Sequence, residues 1–182
     1  MIKRWQFFLF PCVCFLSLHV AAQTTENGRR FVYGINSGAD TSVMMGGNLY
    51  QPDQFFNGGA ASSTGDPISA ISEDALFQSE RYGSSNYEIP VVNSDYTVIV
   101  HLAELFHTSA DMRAFSVIVE GKTVISNLDL YELVGHDTAF EYVVENVSVT
   151  DGSLSLSFET GLENAQVCGI SVYSESGGRV LD

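Results

Sequence analysis

The sequence predicts an all-β protein, an antiparallel β-sandwich, on three observations. Alternation of apolar and polar residues with period two dominates after residue 88, turn signals separate the alternating runs at regular spacing, and helical period is weak throughout the 182 residues. Short strands of this kind, broken by turns and not by helices, pack as two facing sheets. Hydrophobic residues make up 45% of the chain, so it can build a core and is not a solvated acidic tail. Acidic residues outnumber basic ones by 22 to 8, a net charge of −14. That sign argues against nucleic acid, whose phosphates need Lys and Arg, and against an anionic membrane surface.

The amino end reads as a separate object. Met1 to Ala22 has no acidic residue, a basic start at Lys3 and Arg4, an apolar run from Trp5 to Val20 and a small-residue close at Val20-Ala21-Ala22. This is the grammar of a cleavable secretory signal over residues 1–22. A membrane anchor fits less well because of Pro11 and the early close. Lipidation of Cys12 or Cys14 lacks the small residues such processing needs. Cleavage leaves about 160 residues with 6 basic and 22 acidic side chains, a charge of −16. The expected product is one exported domain over 23–182, core about 30–175, secreted or periplasmic and not inserted in a membrane. A chain of that length buries roughly 70% of its unfolded surface. Cys168 is then the one remaining cysteine, so packing and not a disulfide must stabilise the fold.

From residue 36 to 87, Gly46-Gly47, Gly58-Gly59 and a Ser/Thr/Gly stretch near 62–65 predict long loops around short strands. Aromatics fall within them, at Tyr50, Phe55, Phe56, Phe77, Tyr82 and Tyr87. Next, Tyr96, Val98, Val100 and Leu102 alternate with Thr97, Ile99 and His101. Phe115, Val117 and Val119 form the following run, and Gly121 turns the chain into Thr123–Ile125. Phe140–Val144 is a further strand. Val147-Ser148-Val149-Thr150, then Asp151-Gly152, then Ser153–Phe158, predicts a two-residue hairpin with Leu154, Leu156 and Phe158 facing in. Val167–Tyr173 is the last strand, with Cys168 inward beside Ile170 and Val172 as a small buried hydrophobe.

Catalytic signatures are missing: there is no G-x-S-x-G, H-E-x-x-H or phosphate loop. His101, His107 and His136 lack metal-ligand spacing, so no metal and no cofactor is expected. Two carboxylates could hydrolyse a glycoside, but 22 acidic residues make some close pair inevitable. The loop aromatics are more informative. A sugar has an apolar face of C–H bonds and a hydroxyl rim, and its site needs flat rings plus a few hydrogen-bonding side chains. Rings also fill cores, and spacing does not separate the two uses.

Local motifs do. Leu76-Phe77-Gln78-Ser79-Glu80-Arg81-Tyr82 resembles the L-Y-Q-[ST]-E-R-Y motif of the malectin family, and Leu102-Ala103-Glu104-Leu105-Phe106 resembles its F-A-E-[VIL]-[YF] strand end. Leu128-Asp129-Leu130-Tyr131 with Val134-Gly135-His136-Asp137-Thr138-Ala139, the closing Gly161–Cys168 segment and the opening Ile35-Asn36-Ser37-Gly38 are similar to further family segments, in family order. The resemblance implies a jelly-roll sandwich that binds glucose-containing oligo- or polysaccharide without catalysis, in a cleft of loops at one end. By motif position it implies sugar contacts from Tyr82, Phe106 and His107, from Glu163 with Asn164 beside it, and from Phe55 or Phe56 in the early Gly-rich loop; Ser79 is a further candidate for a hydroxyl. Two departures bear on specificity: the family has Tyr-Phe at Phe106-His107 and Asp at Glu163. Two other classes stay open: a small jelly-roll glycoside hydrolase using paired carboxylates, and an adhesion or assembly protein with a protein ligand.

Overall fold

The computed structural model describes residues 25–26, 28–175 and 179–181. The expected signal over residues 1–22, and Gln23 after it, lie outside the described residues. In chain order the strands are β1 (Thr25–Glu26), β2 (Arg29–Asn36), β3 (Val43–Met45), β4 (Asn48–Pro52), β5 (Phe56–Ser63), β6 (Ser79–Pro90), β7 (Ser94–Leu102), β8 (Ala114–Val119), β9 (Lys122–Leu128), β10 (Phe140–Val149), β11 (Ser153–Leu162), β12 (Gln166–Val167) and β13 (Gly169–Ser174). A 3-10 turn at Ala75–Gln78 leads into β6, and a short helix α1 (Leu130–Val134) follows β9. Asp129 caps α1, its side chain accepting from the Glu132 N–H at 3.0 Å.

Seven strands form one sheet in the order β10-β7-β13-β2-β4-β3, with β1 added on β2. Six form the other, β12-β6-β11-β8-β9, with β5 added on β6. The pairings between these strands are antiparallel apart from β2 with β4. Successive strands hop between sheets, at β4–β5, β6–β7, β7–β8, β9–β10, β10–β11 and β12–β13, which gives the all-β sandwich that the alternation predicted, of the jelly-roll type that the resemblance implied. Between the sheets lie Tyr96, Val98, Val100 and Leu102 of β7, Phe115 and Val117 of β8, Leu154, Leu156 and Phe158 of β11, and Ile170 and Val172 of β13, all buried. Each such side chain contributes roughly 1.5–3 kcal/mol of hydrophobic stabilisation.

Several sequence expectations need correction. Asp151-Gly152 does not close a hairpin: β10 pairs with β7, whereas β11 pairs with β6 and β8. The dipeptide makes a local turn, with Gly152 at φ 87° and Ser153 N–H donating to Asp151 Oδ1 at 3.2 Å, and that turn carries the chain from one sheet to the other. Glu120-Gly121, by contrast, is a true two-residue hairpin between β8 and β9, both residues at positive φ. The strand expected at Val167–Tyr173 is two strands in different sheets, parted at Cys168. Cys168 is fully buried as expected, but not beside Ile170 and Val172. It packs in a second cluster with Phe31, Tyr50, Leu76, Phe77 and Tyr173, on the far side of the seven-stranded sheet.

The segment 36–87 also holds more strand than expected. β5 reads Phe-Asn-Gly-Gly-Ala-Ala-Ser-Ser, every residue exposed, and is held by backbone pairing to β6. Gly58 and Gly59 (φ 83° and 66°) form a bulge there, since a Cβ would stand 2.8 Å from the Ser84 carbonyl and 2.9 Å from that of Tyr82. Of the expected loop aromatics, Tyr50, Phe77 and Tyr87 are core side chains.

Candidate functional site

Adjacent residues on a strand point to opposite faces, and Glu80, Arg81 and Tyr82 at the start of β6 divide in this way. Arg81 turns to a closed ion pair: its Nε donates to Asp53 Oδ2 at 2.8 Å, Nη2 lies 2.7 Å from the same oxygen, and Nη1 donates to the Gly58 carbonyl at 3.1 Å. Asp53 also accepts from the Gly38 N–H at 2.6 Å and the Tyr87 hydroxyl at 3.0 Å. Burial, with the Asp53 charge beside it, pushes the Tyr87 phenol far above its ordinary range.

Glu80 and Tyr82 turn instead to a cavity of about 280 Å³. Tyr82 is held on both sides, paired with Ala60 of β5 and Gln166 of β12. Ser62 comes from β5, Phe106 and Arg113 from the loop between β7 and β8, and Glu163 and Asn164 from the turn between β11 and β12. Phe106 is 73% exposed. Glu163 sits at φ 58°, and its Oε2 accepts from Asn164 Nδ2 at 2.6 Å. Arg113 ties the walls together: Nη1 donates to the Asn164 carbonyl at 2.9 Å, Nε lies 2.8 Å from Glu104 Oε2, and Nη2 donates to Glu104 Oε1 at 3.3 Å. Glu104 Oε1 also accepts the N–H groups of Phe106 (3.0 Å) and His107 (2.9 Å), so this buried carboxylate shapes the loop that presents the Phe106 ring.

Of the residues singled out in the sequence, Tyr82, Phe106, Glu163 and Asn164 thus surround one cavity, from three distant segments. Phe55, Phe56, His107 and Ser79 do not line it. Phe55 packs against Tyr33, with ring centroids 5.9 Å apart, and the core. Phe56 is covered by the Arg81 guanidinium, 3.3 Å from its ring centroid, on the other face of β6 from Tyr82. The His107 ring is buried, with Nε2 unpartnered. Ser79 is occupied by Asn36, to which it donates at 2.9 Å. Glu80, Arg113 and Ser62 were missed. Glu80 stands inside the motif that carried the resemblance, and its burial between strands leaves no mark in one sequence.

A second cavity, about 450 Å³, lies against β3, β4, β7, β10 and β13, lined by Tyr50, Tyr173, Asn48, Glu73 and Glu141 among others. Behind it Ser171 Oγ lies 2.7 Å from His101 Nε2, and His101 Nδ1 lies 3.0 Å from Glu141 Oε1. Hydrogen bonding to His101 holds the Glu141 carboxyl below its usual range. The order is that of a nucleophile, base and acid, yet Ser171 and His101 are fully buried and the Tyr50 hydroxyl already occupies Ser171 at 2.7 Å. No carbonyl can approach, so the set is a closed core network. Among the described residues no cluster of three or more His, Cys, Asp or Glu could hold a metal ion.

The chemistry of the 280 Å³ cavity is that of two rings and several hydrogen-bonding groups around one small opening. Comparison with known proteins agrees with the motifs. The malectin domain model matches residues 31–177. Malectin-A of Xenopus laevis is 27% identical over 164 residues, covering 79% of this chain and 59% of that protein; malectin of Danio rerio is 29% identical, covering 79% and 58%. The chain therefore spans less than two thirds of the length of these curated relatives. Among solved structures, a β-glucuronidase of Bacteroides uniformis is similar with a TM-score of 0.67 at 15% identity, over 82% of this chain and 18% of that one, a likeness of fold alone. The ectodomain of ANXUR1 from Arabidopsis thaliana gives 0.69 at 9%, over 80% and 48%. With four fifths of its length matched by the family model and its motifs in family order, the chain belongs to the malectin domain family.

Proposed function

We propose that this chain is a non-catalytic carbohydrate-binding domain that takes glucose-containing oligosaccharides in the 280 Å³ cavity. The observation that carries this reading is the convergence of Tyr82 and Phe106 with Glu163 and Asn164 on one opening. The rings offer faces to the C–H side of a sugar, and the carboxylate and amide offer partners to its hydroxyls. Family membership supports the same role. The domain acts outside the cell, delivered by the leader at residues 1–22; amino-terminal sequencing of exported protein should start near Gln23, and a start at Met1 or a lipidated cysteine would reject that route.

The test of function is calorimetry with a panel of glucose disaccharides spanning the α and β linkages, followed by chromatography of the recovered sugar. Saturable binding with intact disaccharide is expected. Cleavage would make the protein a hydrolase, and the absence of binding across the panel would remove the sugar reading.

A further inference from the structure

Glu80 is 3% exposed, lines the cleft, and leaves Oε2 without a hydrogen-bond partner. The guanidinium nearest to hand, Arg113, is already committed to Glu104 and to the Asn164 carbonyl. Two buried carboxylates therefore share one cation, and Glu80 is the one left over. No other ionisable group around it is hydrogen-bonded to Oε2. Glu163 and Tyr82 line the same opening, Cys168 lies close enough behind for its thiol to feel the Glu80 charge, and the buried His107 ring follows Glu104 in its loop.

We propose that Glu80 is a further binding residue of the cleft: in its protonated form it donates its O–H to an acceptor oxygen of an uncharged sugar, so that binding takes up a proton. This inference rests on the carbohydrate-binding reading above. Oε2 is itself closed to solvent, so what little contact the Glu80 carboxyl keeps with water is through its few exposed atoms at the cleft, which a bound sugar would cover. An ionised Glu80 under a neutral ligand would then be a buried, uncompensated charge, which is costly. A carboxylic acid in the same place both donates and accepts, matching an oxygen-rich ring. Burial pushes the Glu80 carboxyl up to about 7, Arg113 opposing and Glu104 reinforcing the rise, so both forms are accessible near neutrality. The same surplus of carboxylates repels a uronic acid. The ligand class is therefore neutral glycans.

The experiment uses the mature chain, the glucose disaccharides that bind it, and the corresponding glucuronic-acid disaccharides as probes. Between pH 6 and pH 8 the affinity for the neutral sugar should fall about ten-fold, as linkage to one proton requires, with proton uptake visible as a dependence of the heat on the buffer. Glu80→Gln, whose amide still donates, should bind within about two-fold of the parent at pH 6 and show a flat profile to pH 8. Glu80→Ala, which neither donates nor carries charge, should also be flat with pH but bind more weakly than Glu80→Gln at both values, with melting curves checking that each variant is folded. An equal affinity of the parent at both pH values overturns the proposal, as does a Glu80→Gln variant that keeps the parent's slope, which would assign the proton to His107 or another group. Tighter binding of the glucuronic-acid disaccharide overturns it too. Failure of the parent to bind any disaccharide at pH 6 is a different result, removing the carbohydrate reading and this proposal together.

Discussion

Two buried guanidinium centres lie back to back across the start of β6, and they differ in balance and in closure. Arg81 and Asp53 are matched one to one and sealed: Asp53 takes bonds from Arg81, Gly38 and Tyr87, and Phe56 covers the guanidinium. Arg113 faces two carboxylates, Glu104 and Glu80, and opens on the cleft. A balanced, closed pair has nothing left to offer a ligand and serves to fix the chain. An unbalanced, open one keeps an unsatisfied group at a cost to stability, and such costs concentrate at binding sites. Neighbouring residues of one motif, Glu80 and Arg81, thus have opposite roles, and the strand's alternation separates them.

The largest expected effect breaks the closed centre. Asp53→Ala strands the Arg81 charge in the interior and should destabilise by about 3–5 kcal/mol, read from urea unfolding. A loss below about 1 kcal/mol, the range of an exposed pair, would mean that the pair is solvated and the contrast with Arg113 is false.

The open centre should respond in the other direction. In the folded chain Glu80 holds its proton up to about 7, against an ordinary value of 4.5. Across that window the folded state binds more protons than the unfolded one, so stability falls as pH rises from about 4.5 to about 7, and the cost stays in full above it. Glu80→Gln, with no charge to bury, should therefore melt higher than the parent at pH 8, by at most about 3 kcal/mol, and equal it near pH 4.5. A variant less stable than the parent at pH 8 would show that Glu80 is paired and not surplus.

Next in size are the walls of the cleft. Tyr82→Ala removes a ring face and Glu163→Ala a hydroxyl partner, and each should weaken sugar binding by about 1–3 kcal/mol, about 5- to 150-fold. Glu163 is exposed in its turn, so its loss should leave the unfolding midpoint almost unchanged. Calorimetry on both variants, with Asp53→Asn as the control on the closed side, separates the two centres: parent-like affinity in both cleft variants would place the sugar elsewhere.

How much of this was legible follows from where the forces are local. Strands β7, β8 and β11 were readable because each buries one face between the sheets, and burial of one face writes alternation into the chain. β5 was not, since its stability lies in backbone bonds to β6 and its side chains Asn57 to Ser63 carry no pattern. Asp151-Gly152 signalled a turn correctly but not which strands flank it as partners, because pairing is decided by the packing of two whole sheets. In the cleft, motif positions gave Tyr82, Phe106, Glu163 and Asn164. The same reasoning offered Phe56, which Arg81 covers, and passed over Glu80 and Arg113. Charge balance is a property of three-dimensional neighbours, and a chain with 22 acidic residues hides one surplus carboxylate among many.

The smallest effect sharpens the comparison from behind. Cys168 lies where the chain passes from β12 to β13, its N–H donating to the His101 carbonyl at 2.9 Å and its carbonyl accepting from Ser37 at 2.9 Å. Burial holds its thiol well above the ordinary range, and the Glu80 and Glu104 charges add to the rise. In the native state it should resist thiol reagents and label only on unfolding. Cys168→Ala should cost ~1 kcal/mol, the low end of core truncations, because one sulfur leaves a small void among Leu76, Phe77 and Tyr173. Sugar affinity should not change, since the thiol packs behind the cleft and does not line it. Rapid native labelling would mean that the cleft floor opens to solvent at Cys168, and Glu80 would then be hydrated from beneath and its surplus charge relieved.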